Sequence, residues 1–171
     1  AELEAALAEK SQHLAFEPPR LGTASTVGGM IAAGLAGPSR AAAGSVRDHL
    51  LGATLLNGKG EVLSFGGQVM KNVAGYDVSR LQAGALGTLG VLTEVSLKVL
   101  PRPQETLTLR YAMGAEDAIE YMNRRAGEPK PLSGAFWLDG HLYLRLSGAA
   151  GAVYSTVTQW GGETLDHDAA T

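Results

Sequence analysis

An α+β fold is predicted by three observations. Apolar residues recur at period two in some stretches and at helical spacing in others, so strands and helices are interleaved. Twenty-three glycines and seven prolines cut the 171-residue chain into short elements. The character also changes after Pro101 and Pro103: a glycine-dense first part gives way to a regular alternation of strand, helix, strand, strand and helix.

The elements follow in order. Leu3, Ala6 and Leu7 share a helix face, which predicts a helix over residues 2–12. FEPPRLG cannot continue it, because each proline removes a donor and restricts the residue before it. In TVGGMIAAGLAGPSR, Ser25 or Thr26 is placed to cap a short helix from Val27. HLLGATLL and EVLSF flank NGKG, a strand, tight turn and strand. Asp77 is placed to cap a helix through VSRLQAG. GTLGVLTEVSLKVLP begins as a glycine turn and becomes a strand, with Val91, Thr93, Val95, Leu97 and Val99 on one face at period two.

Beyond Pro103, ETLTLRYA reads as a strand. Ala115, Ala118, Ile119 and Met122 mark one face of a helix stopped by Gly127 and Pro129. SGAFWL, DG and HLYLRL make a hairpin. Ala150, Val153, Tyr154, Val157 and Trp160 mark a last helix before Gly161 and Gly162. The order is most of a split βαβ, ferredoxin-like unit without its final strand. The lacking strand, the start inside a helix and the loose DHDAAT end predict a piece of a longer protein.

Composition removes several functions. Apolar residues make up 45% and charged residues 18%, which is globular, and the net charge of -3 argues against a nucleic-acid binder. With no cysteine, the chain holds no disulfide, zinc–thiolate site or iron–sulfur ligand set. No apolar run approaches the roughly 20 residues that cross a bilayer. The dinucleotide fingerprint fails on spacing in GGMIAAG, and the phosphate-binding loop motif fails in GATLLNGKG. GPSRA lacks the second glycine of a nucleophile elbow. His13, His141 and His167 are isolated, with no second ligand at metal spacing. Asp48 and His49 are adjacent, and strand neighbours point to opposite faces, so they do not read as an acid–base pair.

Two glycine-rich turns remain. Residues 26–34 offer a capped helix start with little side chain, which suits a pyrophosphate or flavin edge lying on bare backbone. They equally suit a helix packed close to a sheet. GALGTLGV at a strand start is a second such turn, and two backbone-lined turns fit a long ligand with phosphates in its middle. Lys71, Asn72, Tyr76 and Asp77 could line a site. Their plain alternative gives Asp77 to a helix cap, Tyr76 to a core edge and Lys71 to solvent. Arg40 and Arg47 flank the first turn, where an arginine can pair with phosphate or with a surface acid.

TVGGMIAAGLAGPSRAAAGSVRDHLLG, FGGQVMKNVAGYDVSRLQAGALGTLGVLTEVSLKVLPRP and FEPPRLG closely resemble the FAD-binding subunits of bacterial glycolate oxidases, in the vanillyl-alcohol-oxidase, PCMH-type flavoprotein superfamily. The resemblance is dense over residues 14–103. It implies the second subdomain of a PCMH-type FAD-binding domain at residues 1–103, the first lying upstream. A partial ferredoxin-like cap domain would occupy residues 104–171. It implies FAD contacts, largely through backbone, at Thr26, Val27, Gly28, Gly29, Thr88, Leu89, Gly90, Val91 and Leu92, with Gly44 and Asp48 near the flavin. The implied partners are a larger FAD-linked subunit, an iron–sulfur subunit and a small 2-hydroxy acid. The implied location is the cytoplasm, or the inner membrane's periphery through the complex. No catalytic base is assigned. With one wall of its groove, this chain is expected to hold no FAD tightly. Val27, Ile31 and Leu92 are expected to be exposed. The rival function is a flavoprotein-like scaffold that only assembles the complex.

Overall fold

The computed structural model describes residues 2–22, 24–68 and 75–165. The chain divides into two compact units, Ala1–Pro101 and Arg102–Thr171.

The first unit opens with α1 (Glu2–Glu9), shorter than the predicted helix, because the chain leaves it through Ser11 at φ 53°. It enters β1 (Gln12–His13), which pairs antiparallel with β5 (Leu100–Pro101). Between them run α2 (Val27–Ala33), α3 (Arg40–Ala43), α4 (Val46–His49), β2 (Leu50–Leu56), β3 (Val62–Gly66), α5 (Val78–Leu81) and β4 (Val91–Leu97). The three longer strands form an antiparallel sheet in the order β3-β2-β4. Phe16, Ile31, Val46 and Leu50 make the core, with Val27, Met30, Leu92, Val95 and Leu97 packed against it. Phe16 explains the lead-in: its ring lies 5.2 Å from that of His49, and Glu17 accepts the Ser39 N–H at 3.1 Å. The β2–β3 hairpin turns where NGKG predicts. Asn57 Oδ1 accepts from the N–H groups of Lys59 and Glu61, and Gly60 takes φ 79°.

The period-two reading of β4 fails at one residue. Glu94 pairs with Thr54 and Leu92 with Leu55, so Thr93 is an extra residue in the ladder, its hydroxyl donating to Thr54 O at 3.1 Å. This bulge moves Leu92 to the core side with Val95 and turns Val91 outward, 64% exposed. His49 ends α4 and does not begin the strand. Ile31, expected at the surface, is fully buried, and Val27 and Leu92 are half-buried.

The second unit contains β6 (Glu105–Ala112), α6 (Ala115–Ala126), β7 (Leu132–Leu138), β8 (His141–Gly148), α7 (Ala150–Trp160) and β9 (Glu163–Leu165). Its antiparallel sheet has the order β7-β8-β6-β9. The sequence reading left this sheet one strand short. β9 supplies that strand, pairing Glu163 with Arg110, Thr164 with Leu109 and Leu165 with Thr108, and completes a βαββαβ circuit. Three residues carry no readable period, so only pairing reveals it. Asp139 (φ 47°) and Gly140 (φ 79°) form the hairpin turn that DG predicts. Leu109, Leu142, Leu144 and Leu146 pack on Ala118, Val153 and Trp160. The buried face of α6 runs through Ala118, Tyr121 and Met122, and Ile119, expected there, is 56% exposed.

Between α6 and α7 the Arg125 guanidinium lies 4.7 Å from the ring centres of both Tyr121 and Trp160. It donates to Glu128 at 2.8 Å and to the Tyr121 hydroxyl at 2.7 Å, and Trp160 Nε1 donates to the other Glu128 oxygen at 2.9 Å. Hydrogen bonds from Arg125 and Trp160 hold the Glu128 carboxyl below its usual range. Burial, reinforced by Tyr121, pushes the Tyr111 hydroxyl above its usual range.

Candidate functional site

The first unit carries a cleft of about 340 Å³ lined by α2, the loop after α5 and the start of β4. Each wall follows from local chemistry. Thr26 takes an extended conformation and its Oγ1 accepts the Gly29 N–H at 3.0 Å, which starts α2. The seven-residue helix ends at Gly34, whose φ of 64° favours glycine. Asp77 caps α5 by accepting the Arg80 N–H at 3.1 Å. The loop after α5 is then tied to the end of α2 by two main-chain bonds, Gly84 N–H to Ile31 O at 3.0 Å and Leu86 N–H to Ala32 O at 2.9 Å. A Cβ on Gly34 would stand 2.9 Å from the Gly84 backbone, so only glycine allows this approach.

The glycines of the opening stretch therefore do different work. Gly34 is a packing glycine. Gly28 lines the cleft, and a Cβ built on it meets nothing within 4 Å. Its N–H has no partner among the described residues, whereas those of Gly29 and Met30 are taken by Thr26. Gly90 serves both purposes: it lines the cleft, and its Cβ would lie 2.7 Å from Leu56 O at a φ of 152°.

The structure brings together Thr26, Gly28, Gly29, Gly90, Val91 and Leu92 of the predicted contacts, and adds Ala32, Gln82, Ala85, Leu86 and Gly87. Val27, Thr88 and Leu89 are adjacent in the chain but do not line it. Val27 packs on the core, and the Thr88 hydroxyl donates to Ala85 O at 2.7 Å. Gly44 and Asp48 lie elsewhere. The Asp48 carboxylate accepts the Ser45 N–H at 2.8 Å and starts α4, and the Ser45 backbone bond holds its carboxyl below the ordinary range. A Cβ on Gly44 would strike that carboxylate. Tyr76 is 96% exposed and not at a core edge, Asp77 is the cap, and Arg40 and Arg47 are exposed. Lys71 and Asn72 lie outside the described residues. Among the described residues there is no cluster of three metal-ligating side chains, and no helix is long and apolar enough to cross a membrane.

Gln82 was missed by sequence reasoning. The signal was there: Val78 and Gln82 are spaced i, i+4 on one face, where a second apolar residue is expected.

A family described as FAD binding domain matches residues 1–66, which include α2 and the β2–β3 hairpin. Residues 1–66 are thus similar to that family. The chain is also 49% identical over 163 residues to glycolate oxidase subunit GlcE of Escherichia coli (strain K12), covering 95% of this chain and 47% of that protein. It is 37% identical over 103 residues to glycolate oxidase subunit GlcD of Bacillus subtilis (strain 168), covering 60% of this chain and 22% of that one. The resemblance read from the motifs thus holds as kinship, and the chain spans about half of GlcE and less of GlcD. Among solved structures, one of alkyldihydroxyacetonephosphate synthase matches with a TM-score of 0.70 at 18% identity, over 95% of this chain and 37% of that one. That likeness supports the fold alone, a mixture of helix and sheet as the α+β reading expects.

Proposed function

We propose that this chain is part of the FAD-binding subunit of a multi-subunit glycolate, or similar 2-hydroxy-acid, oxidoreductase. One observation carries the reading: two glycine turns far apart in sequence line one cleft, and at Gly28 a side chain would fill that cleft without touching protein. Bare backbone facing open space fits a flat or phosphorylated ligand better than close packing does. Thr26, Gly28, Gly29, Gly90, Val91 and Leu92 would meet FAD, residues 1–103 acting as the second subdomain of its binding domain and residues 104–171 as the cap. FAD would accept hydride equivalents from the hydroxy acid, with electrons leaving to an iron–sulfur subunit. The partners would be that subunit and a larger FAD-linked one, with the assembly in the cytoplasm or at the inner membrane's periphery.

An absorption spectrum of the full-length protein tests this reading. A flavin spectrum with stoichiometric FAD supports it. A colourless protein that still joins its partner subunits makes it a scaffold. The 171-residue chain alone should hold FAD weakly, because a ligand gripped on one side still bears an immobilisation cost of about 4 kcal/mol or more. Submicromolar stoichiometric binding in a titration would show that this wall suffices.

A further inference from the structure

Gln82 follows the last turn of α5 and is only 4% exposed. A carboxamide offers two donors and an acceptor, and buried ones are normally satisfied. Here Nε2 donates to Val78 O at 3.3 Å, one turn back. That bond fixes which way the amide faces, since its oxygen could not sit against a carbonyl. Oε1 has no hydrogen bond among the described residues, and the side chain lines the cleft. Thr26, the other residue of the lining with a polar side chain besides Gln82, has its oxygen taken by the Gly29 N–H. The rest of the lining is glycine, alanine, leucine and valine. Oε1 opens to the cleft and is not fully enclosed, so a polar acceptor without a protein partner stands there among apolar neighbours. Its presence makes sense when a ligand brings the donor.

We infer that Gln82 Oε1 accepts a hydrogen bond from an N–H or O–H group of the bound cofactor, so that it selects a donor-bearing part of the ligand at this point of the cleft. The inference rests on the FAD reading above and sharpens it. FAD carries donors on its ring imide, its sugar and ribityl hydroxyls and its adenine amino group, while ionised phosphates carry none. Gln82 therefore reads one of those donor groups and not the pyrophosphate, which is left to bare backbone such as Gly28.

The test compares the full-length protein with Gln82→Met, similar in length and flexibility but with no acceptor of that strength. FAD affinity is followed by flavin fluorescence and stability by thermal unfolding. The expected result is FAD binding about five- to tenfold weaker at an unchanged or higher Tm, the factor set by one hydrogen bond. Unchanged affinity, with or without a lower Tm, overturns the inference and leaves Gln82 as a brace for α5, the FAD reading standing. Should Gln82→Met not fold, the side-chain ¹⁵N–¹H signals of Gln82 in the wild-type protein are followed during FAD addition. A shift on saturation supports the contact, and no shift overturns it. A wild-type protein that binds no FAD overturns both readings together.

Discussion

Replacing Gly28 should separate stability from cofactor binding. Glycine within a helix costs roughly 0.5–1 kcal/mol relative to alanine, and a Cβ at this position meets nothing within 4 Å. Gly28→Ala should therefore leave the fold intact or stabilise it by up to about 1 kcal/mol, a Tm rise of up to several degrees for a unit of about this size. The same methyl enters the cleft. A ligand atom in contact with the bare Cα lies at about 3.5–4.0 Å, and a Cβ about 1.5 Å further out must push it back. Losing one hydrogen bond from backbone to a charged group costs about 1.5–3 kcal/mol, which is roughly 10- to 150-fold in affinity. Gly28→Val, with two more methyls, should lose more. Thermal unfolding and FAD titration of the full-length protein measure the two effects side by side. If Gly28→Val binds FAD within about twofold of wild type, the bare backbone does not face the ligand. If Gly28→Ala instead lowers Tm, the glycine is there for packing.

Gly90→Ala should behave oppositely, lowering Tm before any binding is measured, because its Cβ would lie 2.7 Å from Leu56 O and 2.8 Å from a Leu55 methyl. Arg125→Met should destabilise the second unit by about 1–3 kcal/mol in denaturant titration, since Glu128 and the Tyr121 hydroxyl lose their donor; unchanged stability would make that network decorative. Asp48 has a folded-state pKa below its unfolded value, so its contribution is complete above about pH 4 and disappears as pH falls through the lower folded value; Asp48→Asn should flatten that acid limb in unfolding measured from pH 2 to 6. Tyr111 is shifted the other way, so its contribution is whole below about pH 10 and fades as pH rises above that; Tyr111→Phe should flatten the alkaline limb.

Much of the fold was legible because the signals were local. NGKG and DG specify turns through their own backbone preferences, and Thr26 and Asp77 specify helix starts through a single oxygen each. What was not legible depended on partners distant in sequence. Thr93 bulges because of how β4 registers on β2, so no alternation in VLTEVSL could assign Leu92 and Val91 to their faces. β9 exists because Arg110 and its neighbours offer an edge to three residues. Ile119 looks more core-like than Tyr121, yet Tyr121 is the one that packs on the core and stacks with Arg125. In the site, the opening glycines supported two readings because their surroundings differ, Gly28 facing space and Gly34 facing backbone. Asp48, placed near the flavin by resemblance alone, caps α4 through Ser45 and is not part of the cleft lining.

The two main-chain bonds from the α5 loop to the end of α2 act as a gauge. They set the spacing between that loop and α2 by main-chain atoms that every residue but proline possesses, so replacing Leu86 or Ala85 by any other residue changes what the cleft touches while those bonds stay available. Affinity and selectivity can then drift over evolutionary time through the lining side chains while the socket keeps its bore.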